Sequence, residues 1–230
     1  MTRQLGLTRI VIVEDHTLFA ESLDIALTLE GHDVRRVSPG EGGPTTSMTI
    51  LAATLHHRPR VALIDLALGA TASGVRLIEP LQRAGVSVVV ITGCADRLVW
   101  GECLRAGASA VLSKSEPLNV TLAAIRHLRE GRCVMSREER ERLMSASAQD
   151  RSELHEVRHR LASLTPRERQ VLVHLMHGRS VREIAGTSVV SEATVRTQVK
   201  SILAKLHVSS QLAAVSLAHR GGLPVIEVVA

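Results

Sequence analysis

Residues 10–15 read Ile-Val-Ile-Val-Glu-Asp, a short unbroken apolar run that stops on two acidic side chains. Three later runs have the same form: Val61 to Ile64 stops on Asp65, Val86 to Ile91 on Thr92, and Ala110 to Ser113 on Lys114. A strand inside a parallel sheet is covered on both faces, so it reads as continuous Val, Ile and Leu rather than as alternation. Open α/β sheets gather their chemistry outside the carboxyl ends of such strands. Three carboxylates, a hydroxyl and an ammonium are therefore expected on one rim. That set suits a divalent cation and a phosphoryl group.

Between these runs the apolar period changes to that of a helix. Phe19, Leu23, Ala26 and Leu27 share one helical face that Gly31 can close, and Asp33 to Val37 fits a second strand. The Pro/Gly-rich stretch Ser38 to Pro44 reads as a loop, and Ile50 to His56 as the beginning of a helix. Leu77, Leu81 and Ala84 predict another helix, which Pro80 should kink or shorten. Leu98 to Leu104, stopped by Ala106-Gly107, and Leu118, Leu122, Ile125 and Leu128, stopped by Gly131, supply two more. Right-handed crossovers then give an α/β doubly wound, five-stranded parallel sheet over residues 1–131.

The formal net charge of +5 divides unevenly. Residues 1–150 hold 17 Lys+Arg and 17 Asp+Glu, whereas residues 151–230 hold 11 and 6. A basic small domain after a neutral larger one points to nucleic acid as partner of the second, the bland alternative being an Arg-rich solvated surface. Cys94, Cys103 and Cys133 are an odd count with no metal-ligand spacing, so neither a zinc site nor a disulfide framework is indicated. No run approaches the roughly 18 apolar residues of a membrane helix, and the start MTRQLGLTRI lacks a secretory pattern, so a soluble, cytoplasmic protein without a membrane partner is expected. Of 28 basic residues only Lys114, Lys200 and Lys205 are lysines, so Lys114 at a strand end looks chosen for a compact charge.

Residues 132–163 show no strand signal and read as a helical linker, with Ser136 and Glu139 forming a capping box. Leu154, Val157, Leu161 and Leu164 make a seam that fits either a dimer contact or a helix lying against a neighbouring domain. From residue 164 to 230 the pattern is all-α, with four short helices. Thr165-Pro166-Arg167-Glu168 combines an N-cap, a helix-opening Pro and a capping-box Glu; Ser180 with Glu183 repeats the box; Ser191 caps a third helix; and Ser209 or Ser210 opens the last. Two short helices joined by a tight turn, the second with a basic outer face, meet the requirements of a helix-turn-helix.

Together VIVEDHTLFAESL, VALIDL, VVVITG, LRAGASAVLSK, LTPRERQVL and SEATVRTQVKSILAKL resemble a two-component response regulator of the NarL/FixJ type. In that family a flavodoxin-like receiver domain precedes a LuxR-type helix-turn-helix. The resemblance implies that Asp65 takes a phosphoryl group from a sensor histidine kinase. Glu14, Asp15, Asp65 and the backbone carbonyl of Ala67 would hold Mg²⁺, Thr92 would bond a phosphoryl oxygen, and Lys114 would pair with Asp65 beforehand. It further implies a homodimer on double-stranded DNA, with Arg196, Thr197 and Lys200 reading bases and Thr194, Gln198 and Lys205 holding phosphates.

The chain departs from the family pattern at four places. Val111 stands three residues before Lys114, where an aromatic that rotates inward is usual; Gly69 replaces a usual proline in the loop LALGATASG; Ser188 replaces a core leucine; and Gln198 replaces a common His. Two alternatives follow: a regulator with a degenerate receiver acting without phosphorylation, and a Mg²⁺-dependent phosphohydrolase, for which Ala67 offers no general acid.

Overall fold

The computed structural model describes residues 8–40, 43, 45–69 and 72–224. Residues 1–7, with most of the amino-terminal stretch, and Ala70 and Thr71 of the loop after Asp65 lie outside them. The chain forms two compact units, residues 1–148 and 149–230.

In the first unit, strands β1 (Arg9–Val13), β2 (Asp33–Val37), β3 (Val61–Ile64), β4 (Ser87–Thr92) and β5 (Ala110–Ser113) form one parallel sheet in the order β2-β1-β3-β4-β5. Helices α1 (Thr17–Leu29), α2 (Ser47–His56), α3 (Val75–Arg83), α4 (Arg97–Arg105) and α5 (Leu118–Arg129) alternate with the strands. The alternating strand faces sort into two cores. Val11, Val13, Ala62, Ile64, Val88 and Val90 pack towards α2, α3 and α4, while Ile10, Ile12, Leu63, Val89 and Ile91 pack with Leu23, Leu27 and Ile125 from α1 and α5. The unbroken Val/Ile runs are thus the mark of a sheet with two covered faces.

Pro80 lies inside α3, and the helix still runs to Arg83. With only nine residues, α3 has the short span that the proline implies. Thr92 is the last residue of β4 rather than the first after it.

Helix α6 (Arg137–Ala162) covers most of the segment read as a helical linker. Leu143 is buried in the core of the first unit, whereas Val157 and Leu161 of the same helix, with Leu164 just after it, are buried in the second. The seam of Val157, Leu161 and Leu164 is therefore consumed inside one chain. Only half of the expected capping box forms. Ser136 Oγ accepts from the Glu139 amide at 3.2 Å, but the Glu139 carboxylate turns to Arg97 and Arg142.

The second unit adds α7 (Pro166–Met176), α8 (Val181–Thr187), α9 (Glu192–Leu206) and α10 (Gln211–Arg220). Thr165 and Ser180 both form complete capping boxes, with Glu168 and Glu183. Ser191 accepts from the Thr194 amide, and Ser210 opens the last helix by accepting from the Ala213 amide. Val171, Leu172, Ile184, Val195, Val199, Ile202 and Leu206 make its core. Ser188 is half-buried at the end of α8, beside that core rather than within it.

Candidate acidic site and nucleic-acid interface

The register of the sheet brings the strand ends level. Val13 pairs with Ile64, and Thr92 pairs with Ser113, so Glu14 and Asp65 leave β1 and β3 side by side and Lys114 leaves β5 beside Thr92. Backbone bonds extend each pairing by one residue: the Asp65 amide donates to the Val13 carbonyl at 3.0 Å and the Lys114 amide to the Thr92 carbonyl at 2.9 Å. The expected convergence on one rim is present.

At its centre the Lys114 ammonium lies 2.7 Å from Asp65 Oδ2 and 2.7 Å from Glu14 Oε2. Both carboxylates are buried, at 3 % side-chain exposure, where polar groups need a partner at hand. Asp65 Oδ1 accepts from the Leu66 amide at 2.6 Å. Burial by itself would lower the pKa of Lys114, but its bonds to Asp65 and Glu14 outweigh that and hold it above the ordinary value. Phe19 closes one side, its ring centroid 5.0 Å from the ammonium. Thr92 is buried, and its Oγ1 accepts from the Cys94 amide at 3.1 Å. Asp65, Ala67, Thr92 and Lys114 line one open cleft, with Ala67 exposed beside Asp65.

Glu14, Asp15, His16 and Asp65 each present a ligand atom within 4.8 Å of the others. His16 Nδ1 is 3.0 Å from both Glu14 Oε1 and Asp15 Oδ1, but its hydrogen bond goes to Glu14. Asp15 Oδ1 is left buried without a hydrogen-bond partner among the described residues. An orphaned carboxylate oxygen in an oxygen-rich cluster fits a hard divalent cation. The sequence reading pairs Lys114 with Asp65 alone and gives His16 no role. His16 and the Glu14–Lys114 pair are what it misses; Phe19, the chain's one Phe on an otherwise aliphatic face, was a usable signal.

In the second unit α9 turns Val195, Val199 and Ile202 inward and leaves Arg196, Thr197 and Lys200 exposed on the opposite side. Among the described residues Arg196 is tied only to Glu192, at 3.1 Å on an exposed surface, a pair weak enough to exchange for another anion. Thr197 Oγ1 donates to the Ala193 carbonyl, and Lys200 has no charged partner among the described residues. Thr194 is exposed and shares a hydroxyl bond with Ser191. Gln198 is half-buried, with Oε1 lacking a hydrogen-bond partner among the described residues. The Lys205 ammonium lies 2.7 Å from the buried Glu168 carboxylate, an ion pair within the second unit.

The family model described as "Response regulator receiver domain" matches residues 10–126, and that described as "Bacterial regulatory proteins, luxR family" matches residues 162–218. The chain is a response regulator. It is 32 % identical over 221 residues to the "Probable transcriptional regulatory protein NarL" of Mycobacterium tuberculosis, covering 92 % of this chain and 94 % of that one. The "Nitrate/nitrite response regulator protein NarP" of Escherichia coli is 31 % identical over 216 residues, covering 91 % and 93 %. Among solved structures, the two-component response regulator RcsB in complex with DNA covers 94 % of this chain and 99 % of its own at 21 % identity, with a TM-score of 0.49. This response regulator therefore joins a receiver to a LuxR-type DNA-binding domain and is homologous to transcriptional regulators, a family of DNA-binding proteins and not of enzymes. The phosphohydrolase alternative falls with that. Receiver domains bind Mg²⁺ in an acidic pocket, and this receiver has the acidic cluster. No described helix is long and apolar enough to cross a membrane.

Proposed function

We propose that Asp65 accepts a phosphoryl group from the histidine of a sensor kinase, and that its phosphorylation state controls DNA binding by a homodimer. The observation that supports this most is the Lys114 ammonium bridging two buried carboxylates at one strand-end rim. Phosphoryl transfer passes through a loose transition state with charge spread over three oxygens, so catalysis is positioning plus positive charge. Lys114 supplies a cation already in hydrogen-bond reach of Asp65. Asp15 and Asp65, with Glu14 beside them and the Ala67 carbonyl, would hold Mg²⁺, which supplies the remaining positive charge when bound. Thr92, buried on the neighbouring strand, would donate its hydroxyl to a phosphoryl oxygen.

In the second domain Arg196, Thr197 and Lys200 would meet base edges in the major groove, with Thr194 and Gln198 setting register on phosphates. A dimer would place two such helices on half-sites about 34 to 36 Å apart. The test is incubation with a small phosphodonor and Mg²⁺ followed by intact-mass measurement. One phosphate is expected on the wild type and none on Asp65→Asn; no adduct on the wild type overturns the reading.

A further inference from the structure

A line of four contacts runs from the acidic site to the first turn of α6. Thr92 Oγ1 accepts from the Cys94 amide at 3.1 Å, and the carbonyl of the same Cys94 accepts from Trp100 Nε1 at 2.7 Å. The Arg97 guanidinium lies over the Trp100 ring, 5.2 Å from its centroid, and its other contact is the carboxylate of Glu139 in α6. Glu139 is held in turn by Arg142 at 2.6 Å. Every link belongs to the first unit, residues 1–148.

The same face of α4 fixes the start of α6 by two further means. Gly101, four residues after Arg97, lies where an added Cβ would come within 2.2 Å of the Leu143 carbonyl and 2.6 Å of the Ser147 Cβ, so the two helices touch backbone to backbone. Arg140 donates to the carbonyls of Leu104 at 3.1 Å and Ala108 at 2.9 Å, satisfying acceptors at the end of α4. The first turns of α6 are thus clasped to α4, and one of the clasping side chains, Arg97, lies over the Trp100 ring that reaches the loop after Thr92.

We propose that Trp100 passes the phosphorylation state of Asp65 to α6, through the chain Thr92, Cys94, Trp100, Arg97 and Glu139. The proposal rests on the phosphorylation of Asp65 argued above. Thr92 Oγ1 cannot swing towards a phosphoryl oxygen on Asp65 without dragging the Cys94 amide or dropping it. Either outcome moves the peptide whose carbonyl anchors the indole. Val111, buried in the core of β5, has neither a ring to rotate nor a polar handle, so the usual aromatic route is absent and the indole on α4 takes its place. Close-packed helices have discrete arrangements rather than a continuum, so a small shift at Cys94 becomes release or repacking of the clasp.

The chain has one Trp and no Tyr, so its intrinsic emission comes from Trp100 alone. The full chain is treated with acetyl phosphate and Mg²⁺ and followed by intact mass, by Trp emission, and by amide hydrogen exchange over residues 137–148. The expected result is one added phosphate, a shift of the emission maximum, and severalfold faster exchange in that segment. Trp100→Phe keeps the ring but removes the indole donor; it should take up phosphate normally and lose the exchange response. Glu139→Gln should take up phosphate normally and show fast exchange before any phosphate is added. Phosphate uptake with unchanged emission, or a full exchange response in Trp100→Phe, overturns the Trp100 relay and leaves the Asp65 reading standing. No uptake by the wild type overturns both.

Discussion

Lys205 and Glu168, 37 positions apart, share a 2.7 Å ion pair that joins α9 to the start of α7. Glu168 is at once the capping-box residue of α7 and an acceptor for Ser201 at 2.6 Å and for Thr165. One carboxylate therefore ties α9 to the start of α7. Lys205→Met is expected to lower the stability of the second unit by about 1 to 3 kcal/mol, because it removes a charged hydrogen bond and leaves a buried carboxylate without its cation. The same substitution should leave the salt dependence of DNA binding unchanged, whereas a phosphate-contacting lysine would reduce that slope. Thermal unfolding and a salt-titrated binding assay check the two halves.

The pH dependence follows from the same group. Burial by itself would raise the Glu168 carboxyl, but bonds from Lys205, Ser201 and Thr165 outweigh it and bring the pKa down to about 2, from an ordinary 4.5. A folded-state pKa below the unfolded one means that unfolding takes up a proton, so acid favours the unfolded chain. The contribution is complete above pH 4.5 and is lost as pH falls from there towards about 2. Acid unfolding monitored by circular dichroism should lose part of this pH dependence in Glu168→Gln.

At the acidic rim, Lys114→Met leaves Asp65 and Glu14 facing each other without their cation. A loss of about 3 kcal/mol in receiver stability is expected, the low end for breaking a buried ion pair. Added Mg²⁺ should recover part of it, since a divalent ion replaces the missing charge. Melting temperatures with and without Mg²⁺ give the answer; a variant as stable as the wild type would mean that the pair holds nothing together.

Gly101→Ala is expected to separate the start of α6 from α4. The new methyl would meet the Leu143 carbonyl at 2.2 Å, a contact that only backbone movement relieves, and overpacking of this kind costs about 1 to 3 kcal/mol. Faster amide exchange over residues 137–148 without loss of the sheet is the expected signature.

For DNA, Arg196→Ala and Lys200→Ala should each weaken binding by about 1 to 3 kcal/mol and relax base preference at separate positions. Because α9 buries the opposite stripe of Val195, Val199 and Ile202, neither change should alter the stability of the domain by more than about 0.5 kcal/mol. Binding titrations over operator variants distinguish loss of base reading from loss of folding.

Local chemistry explains how much of this was legible in advance. Continuous Val/Ile runs announce strands covered on both faces, and Thr165 with Glu168 or Ser180 with Glu183 announce helix starts three residues away. The rim of Asp65, Thr92 and Lys114 followed from strand ends alone. Contacts across long separations did not. Lys114 and Glu14 are 100 positions apart, and Lys205 looks as free in sequence as Lys200, yet one is consumed by Glu168 and the other is exposed. Glu139 has the spacing of a capping box, but Arg97, 42 positions earlier, competes for its carboxylate and wins because it brings a full charge. The seam of Val157 and Leu161 carries a period that does not say whether its partner is another chain or the same one.

Helix α6 bears on how such proteins can be taken apart and recombined. Its first turns carry Leu143 into the receiver core and its last carry Val157 and Leu161 into the other, so an excision at residue 131 or 164 strips an apolar lid from one module. A graft that exchanges output modules between relatives should instead be spliced near Ala148 and Gln149, inside the helix, where each half keeps the turns that seal it.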